Sequence, residues 1–136
     1  CYANIYNDSS VDAPKTFDRI FMFGDSLSDT GNTHNLLRNT LPESPPYFKG
    51  RFSNGPVWLE VMSKQMNLSP ELVINYAFGG ARAVKDELPI PSLEQQVAKY
   101  LKWNQAADPN ALYVVWTGSN DIMNDAYKNN YKKNIK

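Results

Sequence analysis

The sequence contains almost no cysteine and almost no histidine. Of its 136 residues, Cys1 is the only cysteine and His34 is the only histidine. No disulfide can therefore form within the chain, and no zinc site can be built from cysteines. Three states of Cys1 remain open: a disulfide to a partner, a lipid-modified N-terminal cysteine or a free thiol. We favour the first.

The chain also lacks net charge and long apolar runs. Fourteen basic residues balance fourteen acidic ones, and the one basic cluster lies at Lys128, Lys132 and Lys133. A basic face for nucleic acid is therefore not expected. No apolar run is long enough for a membrane span, and the polar segment Tyr2–Asp12 does not resemble a signal peptide. The 42% hydrophobic content suffices for the core of one domain or part of one.

The stretch Ile20–Phe23 is short, apolar and bulky, which predicts a strand buried on both faces. Gly24, Asp25 and Ser26 follow it directly. In an α/β sheet, ligands and reacting groups collect at the carboxyl ends of strands, where a serine would be both exposed and held in place. Ser26 is therefore a candidate nucleophile. A simple helix-capping role fits this stretch equally well.

A short helix is expected after this turn, ending near Leu37, with capping oxygens from Asp29 and its neighbours. His34 lies on this helix, eight residues after Ser26. Two helical turns of separation carry its side chain away from the serine hydroxyl. We therefore expect a solvated or capping histidine rather than a catalytic one.

The segment Leu41–Asn54 is rich in proline and is predicted to be a loop rather than a linker between domains. Its aromatic residues are Tyr47, Phe48 and Phe52. These side chains either form a rim that contacts an apolar substrate or anchor the loop to the core. The sequence favours neither reading.

Signals for helices and strands then alternate along the chain. Gly55 and Pro56 are expected to open a helix, with the proline at its first position. The segment Leu72–Asn75 predicts a second strand, the capping box Ser92–Gln95 begins another helix, and Leu112–Thr117 predicts a third strand. The apolar face of the helix after Pro56 is predicted to consist of Val57, Trp58, Val61, Met62 and Met66.

A polar turn that contains glycine follows each predicted strand. The second turn holds Gly79 and Gly80, and the third is Gly118–Asp121. The alternation of strands and helices predicts a parallel sheet, in which the three turns meet at one edge. There Ser26 would attack an acyl carbonyl. The N–H groups of Ser26 and Gly80, together with the Asn120 amide, would bind the oxyanion.

The three turns resemble sequence blocks of the GDSL, or SGNH, hydrolase family. Those blocks are Ser in Gly-Asp-Ser-Leu, Gly after the second strand, Asn in Gly-x-Asn-Asp, and a late Asp-x-x-His. The chain matches the first at Gly24–Leu27, the second at Gly80 and the third at Gly118–Asp121. The resemblance implies a three-layer α/β/α sandwich with a mainly parallel, flavodoxin-like sheet, and neither a metal nor an organic cofactor. It also supports Ser26 as nucleophile.

Within this family pattern, three aspartates are expected to hold the turns rather than to take part in the chemistry. They are Asp25, Asp29 and Asp121. We divide the chain into an N-terminal arm, residues 1–18, and the N-terminal part of a hydrolase domain, residues 19–136.

Two longer stretches, Phe23–Asn32 and Leu41–Glu60, are similar to one bacterial branch of the family. This branch contains glycerophospholipid–cholesterol acyltransferases, secreted lysophospholipases A and related haemolysins. The resemblance implies hydrolysis of acyl esters in phospholipids or lysophospholipids through an acyl-serine, with water or a sterol as acceptor. It also implies secretion (or a periplasmic or lipid-anchored state) and transient contact with a membrane surface. A carbohydrate or aryl esterase and a non-catalytic lipid- or protein-binding remnant remain as alternatives.

The fourth block, Asp-x-x-His, has no match in these 136 residues. A serine without a base is a poor nucleophile, so we expect the chain alone to be inactive. We expect it to be the N-terminal half of the catalytic domain, completed by the C-terminal half as a second chain. Cys1 would offer a disulfide to that half, and Lys128–Lys136 would offer a cleavage site.

Overall fold

A computed structural model describes residues 17–85 and 87–123. The predicted arm up to residue 16, Cys1 and Lys128–Lys136 therefore lie outside the described residues. The elements are β1 (Arg19–Gly24), α1 (Asn32–Leu36), α2 (Trp58–Gln65), a 3-10 turn (Pro70–Leu72), β2 (Val73–Asn75), α3 (Leu93–Trp103), β3 (Ala111–Trp116) and α4 (Ser119–Met123).

The three strands form a parallel sheet in the order β2–β1–β3. Ile20 in β1 pairs with Val73 on one side and with Leu112 on the other. β1 is therefore the central strand, and the carboxyl ends of all three strands lie at the same edge. The parallel sheet expected from the alternation of strands and helices is confirmed.

Successive side chains of β1 pack into opposite layers. Ile20 and Met22 contact a cluster that contains Leu59 of α2, whereas Phe21 and Phe23 contact Tyr100 of α3. Because both faces of β1 are covered, its sequence is continuously apolar rather than alternating. The predicted three-layer α/β/α arrangement is confirmed. Among the described residues, no helix combines the length and apolar character needed to cross a membrane.

Helix α2 differs from its predicted start and face. It begins at Trp58, and Val57 is the N-cap, so Pro56 precedes the cap instead of occupying the first helical position. The Glu60 carboxylate accepts the Val57 N–H at 3.0 Å, which fixes the start there. Val61 is 48% exposed and does not belong to the apolar face that packs on the sheet.

Of the predictions for the start of α3 and for the second strand, the first is confirmed and the second is correct only in part. The capping box of α3 is confirmed, because the Gln95 N–H donates to Ser92 Oγ at 3.3 Å and the Ser92 N–H donates to Gln95 Oε1 at 3.1 Å. The second strand is shorter than predicted. Leu72 ends the 3-10 turn, which Pro70 opens, and the strand begins only at the next residue.

Candidate functional site

Ser26 lies in a tight turn at the carboxyl end of the central strand. The N–H groups of Ser28 and Asp29 both donate to the Asp25 carbonyl oxygen at 3.1 Å, and the Asp25 carboxylate accepts the Leu27 N–H at 3.0 Å. Helix α1 begins only after this turn. Ser26 therefore does not cap a helix, which was one of the two roles that the sequence left open.

The side chain of Asp25 is buried directly beside Ser26. It is 1% exposed, and its Oδ2 has no hydrogen-bond partner among the described residues. Burial raises the pKa of Asp25 above its ordinary value, and the N–H of Leu27 only partly opposes this shift. The folded protein thus favours the protonated carboxyl more strongly than the free chain does, while Oδ1 supports the turn.

Asp29 connects the serine turn to the glycine turn. Its carboxylate is fully buried. Oδ1 accepts the N–H groups of Gly31 and Asn32 at 2.8 and 2.6 Å, and Oδ2 accepts that of Thr33 at 3.1 Å. These three donors open α1. The fourth donor is the N–H of Gly79, 2.9 Å from Oδ2 and 50 residues away in sequence.

Each of the two glycines after β2 occupies a position that disfavours a side chain: Gly79 lacks room for a Cβ, and Gly80 has a left-handed backbone. The Gly79 N–H also donates to Thr33 Oγ1 at 2.7 Å, and the ring of Phe52 lies so close that a Cβ on Gly79 would overlap it. Gly80 has φ +82°, a left-handed conformation that glycine adopts without strain. No described residue accepts the N–H of Gly80 or that of Ser26. These two N–H groups are among the donors that the sequence predicts for the oxyanion.

The third turn fixes the chain on the other side of Gly80. One N–H of the Asn120 amide donates to the Ala81 carbonyl oxygen at 2.8 Å, which leaves its second N–H for a ligand. The fully buried carboxylate of Asp121 accepts the Ala83 N–H at 3.1 Å. The two neighbours of Gly80 are therefore both fixed by hydrogen bonds: Gly79 bonds to Thr33 of α1, and Ala81 bonds to Asn120 of α4.

Gln96 supports the end of β1, and the sequence reading missed it. Its side chain is 1% exposed, accepts the Gly24 N–H at 2.9 Å and donates to the Gly24 carbonyl oxygen at 2.9 Å. The signal was present in α3, because Gln96 falls on the helix face shared by Leu93 and Tyr100, which packs on the sheet.

Two asparagines cross-link the first and second turns and were also missed. The Asn32 amide donates to the carbonyl oxygens of Asn75 and Ala77, both at 2.9 Å. In return, the Asn75 amide donates to the Ser28 carbonyl oxygen at 2.7 Å and to Thr30 Oγ1 at 3.0 Å. The position of Asn75 at the end of a strand was the available signal.

His34 is half-buried and packs against the loop, so the expectation of a solvated or capping histidine is wrong. A Cβ on Gly50 would lie 2.7 Å from the Cβ of His34, which shows how closely the two residues approach. The Nδ1 atom of His34 is buried without a hydrogen-bond partner in the described part of the chain. Within residues 17–85 and 87–123, no group of three His, Cys, Asp or Glu side chains could hold a metal ion.

Three features lie at the ends of the three parallel strands: a serine turn, a double glycine and an asparagine. Comparison with known protein families shows where this combination occurs. Residues 20–136 match the profile of the GDSL-like lipase/acylhydrolase family. The chain belongs to this family. The match includes Ser26, Gly80 and Asn120, whose individual roles stay predictions.

The relatives of this GDSL-like chain include an acyltransferase, a hemolysin and a protein named as inactive. Phosphatidylcholine-sterol acyltransferase of Aeromonas hydrophila is 42% identical over 124 residues, which are 84% of this chain and 36% of the relative. Thermolabile hemolysin of Vibrio parahaemolyticus is 34% identical, over 88% of this chain and 29% of the relative. Inactive GDSL esterase/lipase-like protein 25 of Arabidopsis thaliana is 30% identical, over 81% and 32%.

The chain spans about a third of the length of these curated relatives. Its similarity to the Aeromonas and Vibrio proteins confirms the branch of the family that Phe23–Asn32 and Leu41–Glu60 suggested.

Proposed function

We propose that Ser26 is the nucleophile of a lipid acyl-ester hydrolase that can also transfer the acyl group to a sterol. One observation carries the proposal: the N–H groups of Ser26 and Gly80 lack acceptors among the described residues, and the hydrogen bond from Gly79 to Asp29 ties their two turns together. Unpaired donors beside a serine at the end of a central strand suit acyl transfer.

The proposed reaction has two stages. Ser26 Oγ attacks the acyl carbonyl carbon and its proton passes to a base, while the oxyanion accepts hydrogen bonds from Ser26 N–H, Gly80 N–H and the free N–H of Asn120. When the intermediate collapses to an acyl-serine, the ester C–O bond breaks and the base gives its proton to the departing alkoxide, which leaves as a neutral alcohol. Water or a sterol hydroxyl then attacks the acyl-serine, loses its proton to the same base and restores Ser26.

The base in this proposal comes from outside these residues, because the only histidine of the chain, His34, packs against the loop at Gly50. We place a histidine and its orienting aspartate on a second segment, the C-terminal half, present as a separate chain and disulfide-linked through Cys1. The outer edge of β3 supports this arrangement. Among the described strands β3 pairs only with β1, and Val115 and Trp116 are 58% and 47% exposed.

The proposed substrates are phospholipids and lysophospholipids. Similarity to a phosphatidylcholine-sterol acyltransferase supports this class, and the resemblance to a secreted branch supports an extracellular enzyme that contacts membranes transiently. A series of lysophospholipids and aryl esters of increasing acyl length tests the class, with the histidine-bearing segment present. Turnover should rise with chain length. Faster turnover of aryl acetates or acetylated sugars would favour a different esterase, and no turnover of any ester would favour a non-catalytic binding protein.

The oxyanion role of Asn120 can be tested separately. Loss of one oxyanion donor lowers turnover by about 10²–10³, and we expect a decrease of this size for Asn120→Ala. Asn104→Ala is a matched control, because the Asn104 amide likewise donates to a backbone carbonyl oxygen, that of Tyr100, at 2.9 Å at the end of α3. A loss below about tenfold for Asn120→Ala would exclude it from the oxyanion hole.

A further inference from the structure

The loop formed by residues 41–54 is fixed to the rest of the fold at three points. Arg51 forms an ion pair with Glu60 of α2 at 2.7 Å. Gly50 packs against His34 of α1, and the ring of Phe52 lies on Gly79. Contacts to α1, α2 and the segment after β2 therefore fix the loop beside the glycine turn, where it forms one wall of a cleft.

A cleft of about 540 Å³ lies between this loop, α1 and the glycine turn. Sites for small molecules typically enclose about 300–1,000 Å³. Gly79 and Gly80 line part of the cleft, and the N–H of Gly80 has no acceptor among the described residues. The apolar side chains that line it are Leu37, Leu41, Pro42, Pro46, Phe52 and Ile90.

Few polar groups of the cleft are available to a ligand. The polar side chains of its lining are Thr33, Glu43 and Tyr47. Thr33 Oγ1 already accepts the Gly79 N–H, and Glu43 and Tyr47 are exposed residues of the loop. A sugar would leave most of its hydroxyl groups without partners in such a cleft, whereas a chain of methylene groups needs none.

We propose that this cleft binds the fatty acyl chain of the substrate, with the reacting carbonyl at the Gly80 N–H and the methylene groups against Phe52 and the aliphatic side chains. The inference rests on the proposed function, because that function places the carbonyl at Gly80. According to this proposal, the loop residues that line the cleft determine which acyl lengths the enzyme prefers. Each methylene group that is buried strengthens binding about fourfold.

The variant Leu41→Trp tests the cleft, since Leu41 lines it and is 53% exposed, so that a larger side chain can be accommodated at the surface. Leu101→Trp is the matched control: Leu101 is 58% exposed on α3, in the opposite layer. With the complete protein, the ratio of kcat/KM for a decanoyl to a butyryl nitrophenyl ester should fall about 15-fold for Leu41→Trp, as expected for two excluded methylene groups. The control should keep the ratio, and an equal ratio in both variants would overturn the inference.

Direct binding of dansyl-labelled undecanoate separates this inference from the proposed function, because binding requires neither the nucleophile nor a base. Dansyl fluorescence should show that Leu41→Trp binds the probe about 15-fold more weakly than wild type and Leu101→Trp. If the wild type hydrolyses no ester but Leu41→Trp alone binds the probe more weakly, the assignment of the cleft is supported and the proposed function fails. If esters are hydrolysed but both variants bind the probe as wild type does, the cleft assignment fails.

Discussion

Replacing Asp29 with asparagine perturbs the contact that joins the serine turn to the glycine turn. The substitution keeps the shape of the side chain but exchanges one oxygen for an NH₂ group. Each carboxylate oxygen accepts two backbone N–H groups, Oδ1 from Gly31 and Asn32, and Oδ2 from Thr33 and Gly79. The amide should turn its NH₂ group toward Thr33 and Gly79, because the Gly79 N–H keeps Thr33 Oγ1 as an acceptor and only the Thr33 N–H then lacks one. The opposite orientation would leave both the Gly31 and the Asn32 N–H without an acceptor.

The expected loss follows from the burial of these donors. Asp29 is fully buried, and each unsatisfied buried donor costs about 1–3 kcal/mol. One such donor should lower the free energy of unfolding by about 1–3 kcal/mol, out of the roughly 5–15 kcal/mol that stabilises a typical domain.

Urea unfolding followed by tryptophan fluorescence measures this change. Asp18→Asn is the control, because it removes the same charge from an exposed residue next to β1 and should change stability by less than about 0.5 kcal/mol. Amide exchange at Gly79 should also accelerate in Asp29→Asn. A loss below about 1 kcal/mol, or unchanged exchange at Gly79, would refute the reasoning.

Two further substitutions test neighbouring contacts. Gly79→Ala should lower the free energy of unfolding by about 1–3 kcal/mol, because its Cβ would overlap the ring of Phe52. In a double-mutant cycle, Phe52→Ala should recover part of this loss, and strict additivity would contradict the overlap. Because burial raises the pKa of Asp25 above 3.8, the folded state keeps the proton to a higher pH than the unfolded chain, so stability declines as pH rises from the ordinary pKa to the folded one. Asp25→Asn should remove this decline. Its stability relative to wild type should therefore be greater at about pH 7 than at about pH 3, and a difference that does not vary with pH would contradict the assignment.

The strands and turns of this fold could be predicted because their signals are local. β1 is an apolar run that ends in glycine, and both its faces are covered, as such a run requires. The capping box at Ser92 likewise consists of residues three positions apart, and it occurs where it was predicted. Once the sheet is predicted to be parallel, it follows that the three turns lie at the same edge.

The connections between the turns could not be predicted, because they join residues that are distant in sequence. Nothing near Asp29 indicates that its carboxylate accepts an N–H 50 residues away. The loop aromatics illustrate the same limit: Phe52 packs on Gly79, which anchors the loop, and both Phe52 and the 43% exposed Tyr47 line the cleft. Only the folded arrangement distinguishes these two positions.

The central claim is that Ser26 is the nucleophile, and labelling with a fluorophosphonate tests it most directly, because the probe bonds covalently to an activated serine. The complete protein should gain one adduct, located on Ser26 by peptide mass, and Ser26→Ala should gain none and lose ester turnover. Residues 1–136 alone, without a base, should remain unlabelled. Ester hydrolysis that persists in Ser26→Ala, or an adduct on a different residue, would contradict the account.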